Sequence, residues 1–168
     1  AQVGVPYIQV NWSEYVETFT PNGDWGWDTH IYNFELLQDR HCPILDRAFS
    51  ALLDDLYDRG MMEDTLVVFA TEFGRGPFQP VPGVNGRGHH AKVYSSWLAG
   101  AGVKGGMVHG ESDELGDKVG RDPVSVHDFQ ATILHLLGID HERLTYRHAG
   151  RNYRLTDVHG QVVKPILS

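Results

Sequence analysis

Residues 45–75, LDRAFSALLDDLYDRGMMEDTLVVFATEFGR, decide the fold reading. Leu45, Ala48, Leu52 and Leu56 recur at spacings of three and four, with Phe49 and Leu53 widening the stripe. Arg47, Ser50, Asp54 and Asp58 make the opposite, wet face. Pro43 suits a first helical turn, where its missing N–H costs nothing, and Gly60 suits the residue that ends a helix. The spacing therefore predicts a helix over 43–59 with Leu52 on its buried side. Truncating Leu52 to Ala would then cost about 2–5 kcal/mol. Residues 65–71, TLVVFAT, form a nearly unbroken apolar and β-branched run, the pattern of a strand covered on both faces in a parallel sheet. Glu72 follows directly. Ligands and metals collect at the carboxyl ends of parallel strands, so Glu72 is a site candidate.

Outward from this core, residues 5–10 read as a first strand and 31–37 as a short helix. Residues 20–29, TPNGDWGWDT, are a Gly-, Asp- and Trp-rich loop. The segment GRGPFQPVPGVNGRGHH, from Gly74 to His90, is too rich in Gly and Pro for regular structure, and so long a loop is usually functional or mobile. Residues 92–99 read as another strand, 100–106 as a glycine turn and 111–122 as a polar excursion. Asp128 is placed to cap a helix whose apolar face is Phe129, Ile133, Leu136 and Leu137 and whose end is Gly138. Residues 144–155, centred on Ala149-Gly150, read as a β-hairpin. Alternating strands and helices predict an α/β domain with a mostly parallel sheet, helices on both faces and a C-terminal β-hairpin.

Composition narrows the function classes. The 168 residues are one domain's worth of chain, and 41% hydrophobic content with four Trp argues against disorder. A net charge of −8 without a basic stripe argues against a nucleic-acid partner. One cysteine excludes a disulfide framework. No apolar run approaches the ~20 residues of a membrane span.

Asp28, His30, Glu72, His89 and His90 are oxygen and imidazole donors in loops. That ligand set suits zinc, manganese or iron and not calcium. An Asp-x-His is also what a loop cap or a surface pair looks like, a His-His pair is often a wet loop, and Glu72 could cap a sheet edge or pair with Arg75. Trp25 and Trp27 could stack on a sugar or pack against the sheet. Cys42, directly before Pro43 at a helix start, reads as structural. His109, His127, His135, His141, His148 and His159 read as background, with His127 beside Asp128 the one to watch.

The string from Leu45 to Arg75, the segment GRGHHAKVYSSWLAGAGVKGG and the segment PVSVHDFQATILHLLGID together resemble sulfatases and their relatives in the alkaline phosphatase superfamily. WDTH (27–30), TEFGRGP (71–77), GRGHH (86–90) and LTYRHAGRNYRLTDVHG (144–160) resemble most a sulfatase-like domain-of-unknown-function family found in exported bacterial proteins. The resemblance implies an alkaline-phosphatase-like fold of which this chain is the C-terminal half, the nucleophile lying in a preceding half. It implies a metal-dependent hydrolase of sulfate or phosphate esters, acting on a small anionic ester such as a sulfated or phosphorylated glycan. The parent would be periplasmic or secreted, and the 168-residue chain would be inactive alone. The implied ligands are Asp28, His30 and one of His89 and His90 for one zinc or manganese ion, and Glu72 for a second. Arg75 and Lys92 are the candidate substrate-binding cations. Three departures bear on the second ion. Phe73 stands where the superfamily usually has His, Gly88 replaces an Asp, and Asp28 and His30 are two apart where relatives more often show four. The alternative is a non-catalytic binding or scaffold module of an exported assembly.

Overall fold

The computed structural model describes residues 1–12, 26–79 and 85–168. Helical structure runs without interruption from α1 (Asn33–Leu36) through a π-helical turn (Leu37–His41) into α2 (Cys42–Asp58). Pro43 explains the wide turn. A proline has no N–H to donate and its ring crowds the preceding turn, and a π-turn just before it relieves both problems. The N–H of Cys42 reaches back five residues to the Leu37 carbonyl. The expected separate helix over 31–37 is thus the first turn of one longer helical run. At the other end, Gly60 N–H donates to the Tyr57 carbonyl (2.9 Å) and Met61 N–H to the Leu56 carbonyl (2.8 Å). This is the Schellman closure that Gly60 leads one to expect.

The buried edge of α2 is not the one expected. Leu52 is 45% exposed and Leu56 only 7%. Leu45, Phe49 and Leu53 are half-buried, whereas Ala48 is exposed. The inward line is therefore 45, 49, 53 and 56, one step round the helix from the line through Leu52. Six apolar positions span so wide an arc that periodicity alone does not choose between its two edges.

The sheet expectation is overturned. The described residues contain four two-stranded sheets, and no parallel sheet of the alkaline-phosphatase type. Strand β1 (Leu66–Phe69) pairs antiparallel with β4 (Trp97–Gly100), from Leu66 opposite Gly100 to Phe69 opposite Trp97. Phe69 and Trp97 stack with ring centres 5.7 Å apart. Only Val67 of β1 is buried, so residues 65–71 are not a central strand covered on both faces. An apolar run records that side chains are shielded. It does not record the direction or the number of strand partners. Residues 5–10 form no strand, and their apolar side chains are exposed, Val10 at 88%. The expected strand over 92–99 contracts to β4, with Lys92 in a turn before it.

Two-residue strands β2 (Gly74–Arg75) and β3 (His89–His90) pair, as do β5 (Glu111–Ser112) and β6 (Val119–Arg121) inside the polar excursion. Strands β7 (Thr145–His148) and β8 (Arg151–Arg154) form the expected C-terminal hairpin, turning through Ala149 and Gly150, both at positive φ. That is the backbone a two-residue hairpin turn demands.

The chain divides into two compact units, Ala1–Ser50 with Arg75–His89 and Ala51–Gly74 with His90–Ser168. In the second, α3 (Val126–Leu136) carries the most buried residues, Ala131 and Thr132. Its N-cap is Ser125. Asp128, expected as the cap, is the third helical residue, and its carboxylate returns a bond to the Ser125 N–H in a reciprocal capping box. The Thr132 hydroxyl donates to the Asp128 carbonyl (2.7 Å) and accepts from the Val163 N–H (2.9 Å), which ties the C-terminal segment to the helix.

Leu56→Ala is expected to lower the unfolding free energy by about 2–4 kcal/mol, because it opens a cavity at a buried site. Leu52→Ala should cost less than about 1 kcal/mol, as surface substitutions do. Urea denaturation of the two variants checks this. The reverse order would place the helix on the core by its other edge.

Candidate metal centre

In the first unit, three separated segments meet at one oxygen atom. Asp28 Oδ1 lies 2.5 Å from Arg75 Nη2, 2.7 Å from His89 Nε2 and 3.2 Å from His30 Nδ1. The two imidazole rings are 4.7 Å apart between centres. The side chains are partly open to solvent, Asp28 at 58% and Arg75 at 21%.

Local structure delivers each group. The buried Thr29 hydroxyl donates to Asn33 Oδ1 (2.5 Å), fastening the 28–30 turn to the start of α1. Asn33 N–H donates to the Asn85 carbonyl, and Asn85 Nδ2 donates to Glu35 (2.6 Å), so the approach to β3 is clipped to the same helix. Gly86 is buried, and a methyl group there would overlap the His30 backbone carbonyl. Only glycine allows the 85–89 segment to lie flush against the 28–31 turn, which is what brings His89 to Asp28. Arg87 completes the seat with its guanidinium 4.6 Å from the Phe34 ring centre.

Electrostatics follow from this geometry. Partial burial of Asp28 works to raise its carboxyl pKa. The hydrogen bonds from His89 and Arg75 and the positive charges of His30 and Arg75 outweigh it, and the group is held below its ordinary value. Arg75 also donates to the Trp27 carbonyl (3.0 Å) and, through Nη1, to the Arg87 carbonyl (3.1 Å). Its guanidinium is therefore a brace across the site, bonded to the Asp28 carboxylate and to two backbone carbonyls.

The donor set fits a divalent ion. Asp28, His30 and His89 each offer one ligand atom, all within 4.8 Å of one another. Two imidazoles and one carboxylate form the three-ligand set of catalytic zinc sites, which leave a coordination position open. Ligand atoms bound at about 2.0–2.1 Å to a tetrahedral ion stand roughly 3.3 Å apart, close to the 2.7 and 3.2 Å found here.

The remaining sequence candidates stand outside the cluster. Glu72, His90 and Lys92 belong to the second unit. Glu72 and Lys92 are exposed. His89 and His90 are consecutive on a strand, so they point to opposite faces and only one can reach Asp28. His90 Nε2 is buried with no hydrogen-bond partner among the described residues. Phe73 is half-buried. Trp27 packs on His41 and Trp12, at ring-centre distances of 5.0 and 5.1 Å, and Trp25 lies outside the described residues. Thr29 and Gly86 stand inside the WDTH and GRGHH motifs without a role having been read for them, and Asn33 and Asn85 went unrecognised; the one local signal is the Asn85-Gly86 pair before Arg87.

Two outcomes follow. Gly86→Ala should destabilise the protein by about 1–3 kcal/mol, the range for forced overpacking, and should weaken zinc binding. Thermal melts and zinc titration check this. A depressed folded-state pKa means that Asp28 contributes stability above the unfolded carboxylate range and loses it as pH falls through its folded value. Arg75→Met should move the Asp28 titration upward and bring acid unfolding to higher pH, read by carboxyl carbon NMR.

Comparison with curated proteins and with solved structures returns no match. The family model that matches is DUF1501, described as protein of unknown function, and the match carries no link to sulfatases or to the alkaline phosphatase superfamily. Covering residues 1–167, it shows that the chain belongs to the DUF1501 family.

Proposed function

We propose that the chain supplies a three-ligand divalent-metal centre, Asp28, His30 and His89, for hydrolysis of a sulfate or phosphate ester. The observation that carries the reading is the approach of three donor atoms, two from the 28–30 turn and one from β3, to within 4.8 Å. Zinc or manganese suits a set of two imidazoles and a carboxylate. A bound ion of this kind polarises an ester oxygen and lowers the pKa of a coordinated water. Arg75 keeps Asp28 ionised before an ion arrives and gives way at Oδ1 to the ion. Gly86 and Asn85 hold His89 within reach.

The ester substrate, a small anionic one such as a sulfated or phosphorylated glycan, comes from the likeness of TEFGR and GRGHH to sulfatase motifs. The antiparallel sheets lend that likeness no support. Sulfatases place their nucleophile in a segment that precedes these motifs, so turnover is proposed for a longer periplasmic or secreted protein of which this sequence forms part. A non-catalytic binding module is the second reading. It is favoured by Phe73, which cannot ligate a metal, and by the position of Glu72 and His90 outside the cluster.

The 168-residue chain should bind zinc at the cluster and hydrolyse neither p-nitrophenyl sulfate nor p-nitrophenyl phosphate. Asp28→Asn with His89→Ala should weaken zinc binding at least about 100-fold, as loss of ligands and of their support does. In the longer protein, the same pair should abolish metal-dependent ester hydrolysis. Retained zinc affinity in the double variant contradicts the metal centre. Zinc binding without hydrolysis in the longer protein favours the binding module.

A further inference from the structure

A second imidazole pair stands in the other unit, beside the N-terminus of α3. His127 and His159 are 32 residues apart in sequence, yet their rings lie 5.2 Å apart between centres. They line a solvent-open cavity of about 690 Å³ whose lining also includes Asp128 and Glu142. Two imidazoles sharing a tetrahedral ion at about 2.0–2.1 Å hold their ring centres roughly 5 Å apart.

The loop that carries His159 is built to stay there. Gly160 lies flush on the helix, where a Cβ would meet the His127 carbonyl at 3.1 Å, the Thr156 side chain at 3.1 Å and the Ala131 side chain at 3.3 Å. Gln161 N–H donates to Asp128 Oδ1 (2.7 Å) and Val163 N–H to Thr132 (2.9 Å). Asp157 is held at φ 51 in the turn just before His159, a conformation that non-glycine residues adopt at a cost. The buried Thr156 hydroxyl is within 3.0 Å of His141 Nδ1, which anchors the turn from the other side.

The charge pattern selects a cation. An open helix N-terminus attracts anions, but this one already holds a carboxylate. Asp128 Oδ2 accepts from the Ser125 N–H and hydroxyl and Oδ1 from Gln161. Glu142 adds a second negative charge to the cavity, and its contact with Arg154 is long, 3.5 Å. Imidazole donors favour first-row transition ions over magnesium or calcium.

We propose that the His127 and His159 imidazoles form a second divalent-metal site for a nitrogen-preferring ion such as zinc, nickel or cobalt, separate from Asp28, His30 and His89. The test uses the full 168-residue chain and zinc chloride. In a background of Asp28→Asn and His89→Ala, calorimetry should show one remaining zinc equivalent. Adding His127→Ala and His159→Ala should weaken that binding at least about tenfold, since even outer-shell losses cost that much. A double variant that binds no zinc, or a quadruple variant that binds it undiminished, overturns the proposal. If the variants misfold, cobalt titrated beyond two equivalents into the wild-type chain decides. Selective broadening of the His127 and His159 ring resonances supports the site, and unchanged resonances overturn it.

Discussion

The first unit turns on a single carboxylate oxygen. Asp28 Oδ1 gathers Arg75, His89 and His30, and without it the three segments would lose the one acceptor they share. The ion pairs alone do not hold this arrangement. Partly exposed pairs contribute about 0–1 kcal/mol each, whereas a misfit at Gly86 costs about 1–3 kcal/mol. The backbone seat made by Gly86, Asn85 and Asn33 therefore sets the geometry, and the charges set the protonation state of the oxygen at its centre.

Of the groups that fix position, Thr29 and Gly86 are buried, Arg87 is half-buried and Asn85 is exposed. The groups that could bind an ion are partly solvent-facing and share one acceptor. Arg75 Nη2 donates both to that acceptor and to the Trp27 carbonyl, and Nη1 donates to the Arg87 carbonyl. It holds the carboxylate ionised and oriented, and an incoming cation would take its place at Oδ1 without dismantling its other bonds.

What the sequence made legible was local. The α2 helix, its closure at Gly60, the α3 helix and the Ala149-Gly150 hairpin follow from periodicity and turn chemistry, all of which act within a few residues; the expected apolar face of α3 does not, since Leu137 is 50% exposed and the buried residues are Ala131 and Thr132. The sheet did not follow. The run TLVVFAT is the same string whether the strand sits inside a parallel sheet or pairs once with Trp97–Gly100, because strand direction is a property of the partner. Leu52 and Leu56 both lie on the apolar arc, and packing alone decided which turned inward. At the site, Asp28, His30 and His89 were visible as donor types. That His90 points elsewhere is a consequence of strand alternation, which could be applied only once His89–His90 was known to be a strand. The meeting of His127 with His159 spans 32 residues, and beyond the position of His127 beside Asp128 it leaves no local trace.

The most direct measurement of the central claim is anomalous diffraction at the zinc edge from crystals of the chain grown with zinc. The account predicts a peak about 2.0–2.2 Å from Asp28 Oδ1 and from a ring nitrogen of both His30 and His89, with Arg75 withdrawn from that oxygen and still bonded to the Trp27 and Arg87 carbonyls. A map with no peak there, and Asp28 still bonded to Arg75 and His89 at saturating zinc, would contradict it.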